Sequence, residues 1–486
     1  MHRTSSLVLL LLLLVSIVST TCYRMRKSNG GGQIETVPQR TIRATDVALH
    51  PGYKIEPVAS GLTFPTAVTT DEEGRLYVIE SGYSYGEIFG EPKLLRVELD
   101  GRTTLIAKGN RNGPWSGITY HNDAFYVAEG GEMEGGRILR ISKTGEITAL
   151  ISHLPTYGDH HTNGPVIKDG FIYFSLGTAT NSGVVGEDNA KFGWLPRKKE
   201  FHDIPCKDIV LAGQNYTSSN LLTEDPADAT STGAFSPFGI PTTAGQVVKG
   251  VIPCSSAVLR MPIQGGQPEL VAWGFRNPFG LATSPDGRLF ITENGYDERG
   301  SRPVWGAGDV LWEIKDGLWY GWPDFSAGKP ISHDEEFKAP GREPVKPILR
   351  QLPNTPPKPA AIFGVHSSSN GFDFSRSTQF GFSGEAFVAQ FGDMAPDAGK
   401  VLSPVGFKIV RVNVATGIIR DFATNKGARN GPASRLKTGG LERPVSVKFD
   451  RSGNALYVVD FGIMKLTEQG PEPQTGTGMI WRITKQ

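Results

Sequence analysis

Cysteine is scarce in this chain of 486 residues: there are three, at positions 22, 206 and 254. No CxxCH pair occurs, so no c-type haem is attached, and any redox chemistry would need a separate electron acceptor, a quinone or a cytochrome. Net charge is almost absent too, with 50 Lys+Arg against 49 Asp+Glu and a formal charge of +1. No overall field favours nucleic acid or an anionic membrane, and a small uncharged substrate suits the chain better than a polyanion. Long apolar runs are missing after the first segment. That segment, Leu7 to Val18 behind Arg3, is shorter than the roughly 20 residues that span a bilayer.

The segment before Cys22 reads as a secretory signal covering residues 1–22, so the mature protein is expected to be periplasmic or extracellular. Cys22 would be acylated, and the chain tied to a membrane, if this were a lipoprotein signal; Thr21 and Ser19 fit that pattern poorly. Residues 23–50 lack apolar periodicity and contain three consecutive glycines from Gly30, which marks a linker. Cys206 and Cys254 are the two thiols left after export, and an oxidising compartment allows them to pair as a disulfide, or to remain free or buried.

Glycine and proline are abundant, at 60 and 34 residues, and this turn density points to an all-β chain. A short apolar run, a turn, a second run and a third run recur six times. First runs begin near Pro65, Trp115, Pro165, Pro278, Gly371 and Pro444. Third runs centre on Leu94, Ile138, Val258, Leu311, Ile409 and Ile480, and five carry an arginine at one place: Arg96, Arg140, Arg260, Arg411 and Arg482. These arginines read as solvated strand positions. The period predicts a six-bladed β-propeller over residues 51–486. Its last blade lacks a fourth strand, and Tyr53 to Ala59 is expected to supply it beside Ile480, closing the ring. An insertion, residues 177–256, separates two strands of blade three, and a Pro-rich stretch, 324–365, follows the third run of blade four.

The propeller places the starts of first strands and the ends of second strands on one rim. His161, Thr162, Asn163, Arg276, Asn277, His366 and Arg443 fall at the starts, and Glu80, Glu129, Glu293, Gln390 and Asp460 at the ends. The repeated carboxylates read mainly as partners of backbone amides. The histidine, arginines and asparagine read as a convergent site.

Two stretches are specific. GFRNPFGLATSPDGRLFITENG (274–295) with GDVLWEIKDGLWYGWP (308–323), together with HTNG at His161, resemble the soluble pyrroloquinoline quinone (PQQ) sugar dehydrogenases, the glucose/sorbosone dehydrogenase family. The resemblance spans about residues 53–486 and leans to the sorbosone- and aldose-type branch. It implies oxidation of an aldose or related sugar aldehyde, with PQQ and Ca²⁺ as cofactors. His161 would be the general base, with His160 its neighbour, and Arg276 would stabilise the reduced quinone oxygen. Asn277, Asn294, Asp309 and Arg443 would line the cofactor, Arg443 pairing a carboxylate; Asp309 equally suits a role as a loop cap. The carbonyls of Gly295 and Tyr296 would ligate calcium, Tyr296 standing where the family has proline. The sequence departs from the glucose-oxidising members at Pro404 and Val445, where they carry cations, unless Lys400 or Lys408 compensates. A non-catalytic binding propeller and a calcium-dependent lactonase-like hydrolase are the alternatives, because the scaffold is shared.

Overall fold

The computed structural model describes residues 39–82, 90–131, 134–223, 225, 227–333, 335–339, 341–394, 401, 403–467 and 470–486. The signal segment, most of the linker and Lys400 lie outside them.

Among the described residues, five four-stranded antiparallel sheets and one five-stranded sheet form the six blades. Their innermost strands are Pro65–Thr70, Trp115–His121, Thr162–Lys168, Asn277–Thr283, Ser369–Phe374 and Pro444–Phe449. Each begins within three residues of the start expected from the sequence. The sheets hold because neighbouring blades bury their facing side chains against each other. Tyr77, Ile79 and Leu94 of blade one pack with Ile118, Phe125 and Val127 of blade two. Phe290 and Leu311 of blade four pack with Phe372, Val388 and Val410 of blade five. A fully buried side chain of this size contributes roughly 1.5–3 kcal/mol.

The closing strand is Tyr53–Leu62, paired antiparallel with Gly478–Lys485 in blade six, Ala59 lying opposite Ile480. Arg482 donates to Glu56 across this join at 2.7 Å. The repeated third-strand arginines make similar surface pairs, Arg96 with Glu98 and Arg260 with Glu269. A short strand, Val47–Leu49, adds a fifth member to the outer edge of blade five.

The acidic ends of the second strands fasten the blades. Glu293 accepts the Arg276 amide at 2.5 Å and the Trp312 indole at 2.6 Å. Asp460 accepts the Arg443 amide at 2.9 Å and the Trp481 indole at 3.3 Å. Glu129 accepts the Trp115 indole at 3.0 Å. A carboxylate with two lone-pair-bearing oxygens can hold a strand entry and a neighbouring indole together, which is why this position repeats.

The 177–256 insertion has its own small core of Ala179, Val185, Trp194, Leu195, Phe201 and Phe238. Two short helices, Glu187–Lys191 and Trp194–Arg197, and a hairpin of Asn215–Ser219 with Ala229–Gly233 build it. Cys206 and Cys254 are joined as a disulfide. The Pro-rich stretch has little regular structure and is ordered by buried polar contacts instead. Arg302, 1% exposed, bonds Asp324 at 2.6 Å and the carbonyls of Ser182, Pro323 and Lys346. Asp324 in turn accepts the amides of Ile348 and Leu349. Among the described residues, no helix is long and apolar enough to cross a membrane.

Candidate functional site

Strand entry brings His160, Arg276 and His366 to one rim, and a segment just beyond the second strand of blade four joins them. That segment, Gly295 to Arg302, contributes Asp297 and Arg299. Arg276 donates Nε to Asn181 Oδ1 at 3.0 Å, Nη1 to the Gly295 carbonyl at 2.6 Å and Nη2 to Asp297 at 2.7 Å. Arg299 donates to Asp188 at 2.7 Å, to Asp297 at 3.1 Å and to Asp159. Three carboxylates therefore face two guanidinium groups, and the cations hold Asp159 and Asp297 below the usual carboxylate range against the opposing effect of burial. Asp188 goes the other way, because burial outweighs its Arg299 partner.

The two histidines of the HHTNG stretch have different surroundings. His160 faces the charged cluster: its Nε2 lies 3.5 Å from Asp159 Oδ2, and Arg276, Arg299 and Asp297 all act on it electrostatically. Its Nδ1 contacts the Thr178 carbonyl at 3.1 Å and the Thr178 hydroxyl oxygen at 2.8 Å. That hydroxyl spends its hydrogen on the Thr180 carbonyl at 2.6 Å. Both Thr178 oxygens are thus acceptors toward the ring, so Nδ1 carries the proton and Nε2 keeps the lone pair. Burial drives the His160 pKa down to about 3, and the ring is neutral at pH 7. Glycine at 177 is required here, since a Cβ would lie 2.2 Å from His160 Cβ. His161 Cβ lies close to Gly130, just past the end of blade two's second strand, and burial lowers its pKa to about 4. Of the cluster's charged groups only Asp159 acts on it.

The remaining expected residues are hydrogen-bonded to one another and to neighbouring backbone groups. Asn277 Nδ2 donates to Asn294 Oδ1 at 2.9 Å, and Asn294 Nδ2 to the Ser369 carbonyl at 3.2 Å. A carbonyl can only accept, so this chain fixes both amide orientations and leaves Asn277 Oδ1 buried with no hydrogen-bond donor. Asp309 accepts the Gly295 amide at 3.0 Å, the Ser367 hydroxyl at 2.8 Å and the Ser369 amide at 2.7 Å. It caps the blade-five entry, the second of its two expected roles. Arg443 is 1% exposed and donates to the carbonyls of Gly392 and Asp393 at 3.1 Å, with its guanidinium over Phe391 and Phe407. Val445 is core, and the Pro404 carbonyl accepts from Asn430 at 3.0 Å. Lys408 pairs with Asp421 at 2.7 Å.

A calcium ion at the Gly295 carbonyl would have to share that oxygen with Arg276. The Gly295 carbonyl already receives the Arg276 guanidinium, and a second cation at that oxygen would be repelled. The Tyr296 side chain is buried, its hydroxyl bonded to the Phe325 carbonyl at 3.0 Å.

Sequence reasoning missed Asp159, Asn181, Asp188, Asp297 and Arg299. The signal for two of them was close by: DERGSR begins one residue after the ENG motif, so these charges lie near a strand end on that rim.

The fold and rim define a six-bladed propeller with a polar site at the strand entries. Residues 247–392 match the family model described as Glucose / Sorbosone dehydrogenase, which bears out the resemblance read from the sequence. No curated protein matches the chain. Among solved structures, the chain is similar to a Carbohydrate-Active Enzymes Family AA12 protein of Trichoderma reesei (15% identity, TM-score 0.53, 92% of this chain and 99% of that one). It is also similar to the soluble aldose sugar dehydrogenase of Escherichia coli (13%, 0.52, 89% and 100%). A third is the PQQ domain of pyranose dehydrogenase from Coprinopsis cinerea (15%, 0.51, 92% and 98%). At such identities these likenesses establish the fold.

Proposed function

We propose that this chain is an exported PQQ-dependent dehydrogenase that oxidises a hydroxyl of an aldose or related sugar and passes electrons to a separate acceptor. The observation that carries this is the buried His160, held in the tautomer that leaves Nε2 ready to accept a proton beside Asp159 and Arg276. The names of the matched family and of the similar solved structures support the substrate class.

The residues fit the quinone end of PQQ. Asn277 Oδ1 is a buried acceptor lacking a donor, suited to a ring N–H, and Arg276 offers a guanidinium to a quinone oxygen. The carboxylate end finds no cation at Pro404 or Val445. When bound, PQQ supplies the two-electron acceptor that takes hydride from the carbinol carbon. His160 Nε2 takes the hydroxyl proton, and Asp159, 3.5 Å away, stabilises the imidazolium that results. Thr178 holds the ring so that this nitrogen and no other faces the cluster. Arg299 and Asp297 place charge around it. No step is routed through calcium.

The test is reconstitution of purified protein with PQQ, followed by its absorbance and by turnover of a sugar panel. His160→Ala is expected to lower kcat by about 10²–10⁴ with PQQ binding retained, while His161→Ala leaves kcat within a few-fold. Wild-type protein that binds no PQQ, or a larger loss in His161→Ala than in His160→Ala, refutes the reading as stated.

A further inference from the structure

We infer that His366 is a second ligand-contacting residue of this site, its Nε2 accepting a hydrogen bond from a hydroxyl of the sugar. The inference rests on the substrate class proposed above and adds the residue that recognises it.

His366 stands between the last strand of blade four, Ala361–Val365, and the first of blade five, Ser369–Phe374. Its backbone lies in the left-handed region, φ 60°, as does that of Ser368 at 49°. A residue with a Cβ adopts this conformation at a cost, and it persists where surrounding bonds impose it. Here they do: Asp309 binds the Ser367 hydroxyl and the Ser369 amide with one oxygen and the Gly295 amide with the other. The imidazole is therefore presented from a fixed base, on the wall that also carries Arg276 through the Gly295 carbonyl.

The side chain is 8% exposed, and Nε2 is buried without a hydrogen-bond partner. A histidine that served only packing would have both nitrogens satisfied. Nδ1 faces Asp297 Oδ1 at 3.7 Å, whereas the other oxygen of Asp297 is taken by Arg276 and Arg299. A carboxylate opposite Nδ1 favours the proton there, which makes Nε2 an acceptor. The missing partner must then bring a hydrogen. A quinone oxygen and a carboxylate cannot; a sugar hydroxyl can. Asp297 is 31% exposed, so this part of the wall opens to solvent and a ligand has a way in.

The experiment uses calorimetric binding of free aldoses (glucose, galactose, xylose and arabinose) to the full exported chain without added PQQ, then KM and kcat after PQQ is added. His366→Asn removes the imidazole while keeping a residue that tolerates the left-handed backbone, and His366→Gly removes the strain altogether. Both are expected to melt near the wild-type temperature. At least one aldose is expected to bind wild type at least tenfold more tightly than either variant. KM should rise by a similar factor, with kcat changed less than about threefold and PQQ absorbance unchanged. Equal affinity in variant and wild type, or no aldose bound by wild type, overturns the inference. Wild-type protein that binds sugar but takes up no PQQ sinks the dehydrogenase reading alone, because the calorimetric comparison still judges His366.

Discussion

His160 and His161 are chemically identical neighbours, and only their surroundings separate them. Sequence resemblance favoured His161 because it directly precedes Thr-Asn-Gly. In the fold His160 meets the charged cluster, and His161 lies beside Gly130, just past the second strand of blade two. The HH pair was legible as important; its internal choice depended on a register that no single-sequence pattern gives. Burial keeps both rings neutral, with pKa values near 3 and 4. Neither imidazole is therefore expected to titrate between pH 8 and 5 in ¹⁵N-resolved NMR of the protein without cofactor. The sign is fixed by linkage: the unfolded rings protonate near pH 6.5, so their burial is without cost above that pH and lowers stability as pH falls toward 4. A midpoint near 6.5 for His160 would place its ring in water and remove it from the cluster.

At the scale of elements, Arg299 is the point where three parts of the chain meet: the blade-three entry through Asp159, the insertion through Asp188 and its own segment through Asp297. The insertion was visible in the sequence as an interruption of the strand period. Its attachment was not, since nothing in residues 177–256 says which distant cation will find Asp188. Arg299→Gln leaves buried carboxylates without their cation, a change that typically costs about 3–5 kcal/mol. The loss is expected to appear first at the insertion: limited proteolysis with mass analysis should cut within 177–202 in the variant at a temperature where wild type resists. Identical cleavage in both would mean that the insertion is held by its own core and not by the ion pairs.

The whole ring was the most legible level, because six copies of one pattern average out local ambiguity. The starts of the innermost strands at Pro65, Trp115 and Pro444 fell where turn residues put them, and the unfilled position in blade six named its own occupant. What repetition could not reveal was the irregular polar matter, Arg302 with Asp324 and the rim cluster, which occurs once each and has no period. Deleting residues 39–62 removes the closing strand and bares Met479 to Ile483, whose apolar members are fully buried in the intact ring. The deleted chain is expected to aggregate or to lose its cooperative melting transition by calorimetry. A sharp transition at an unchanged temperature would show that blade six stands with three strands.

The join between Tyr53–Leu62 and Gly478–Lys485 also sets a timetable. Glu56 and Arg482 meet across 426 positions, so a strand that leaves the ribosome early is among the last to find its neighbour. At about 5–20 residues per second, roughly 20–90 s pass between the making of the two halves of that ladder. Throughout that interval the early strand has an open edge, and an open edge pairs with whatever strand is nearest. Under the export proposed above, a chain that crossed the membrane before folding would close its ring on the far side, where both ends become available together.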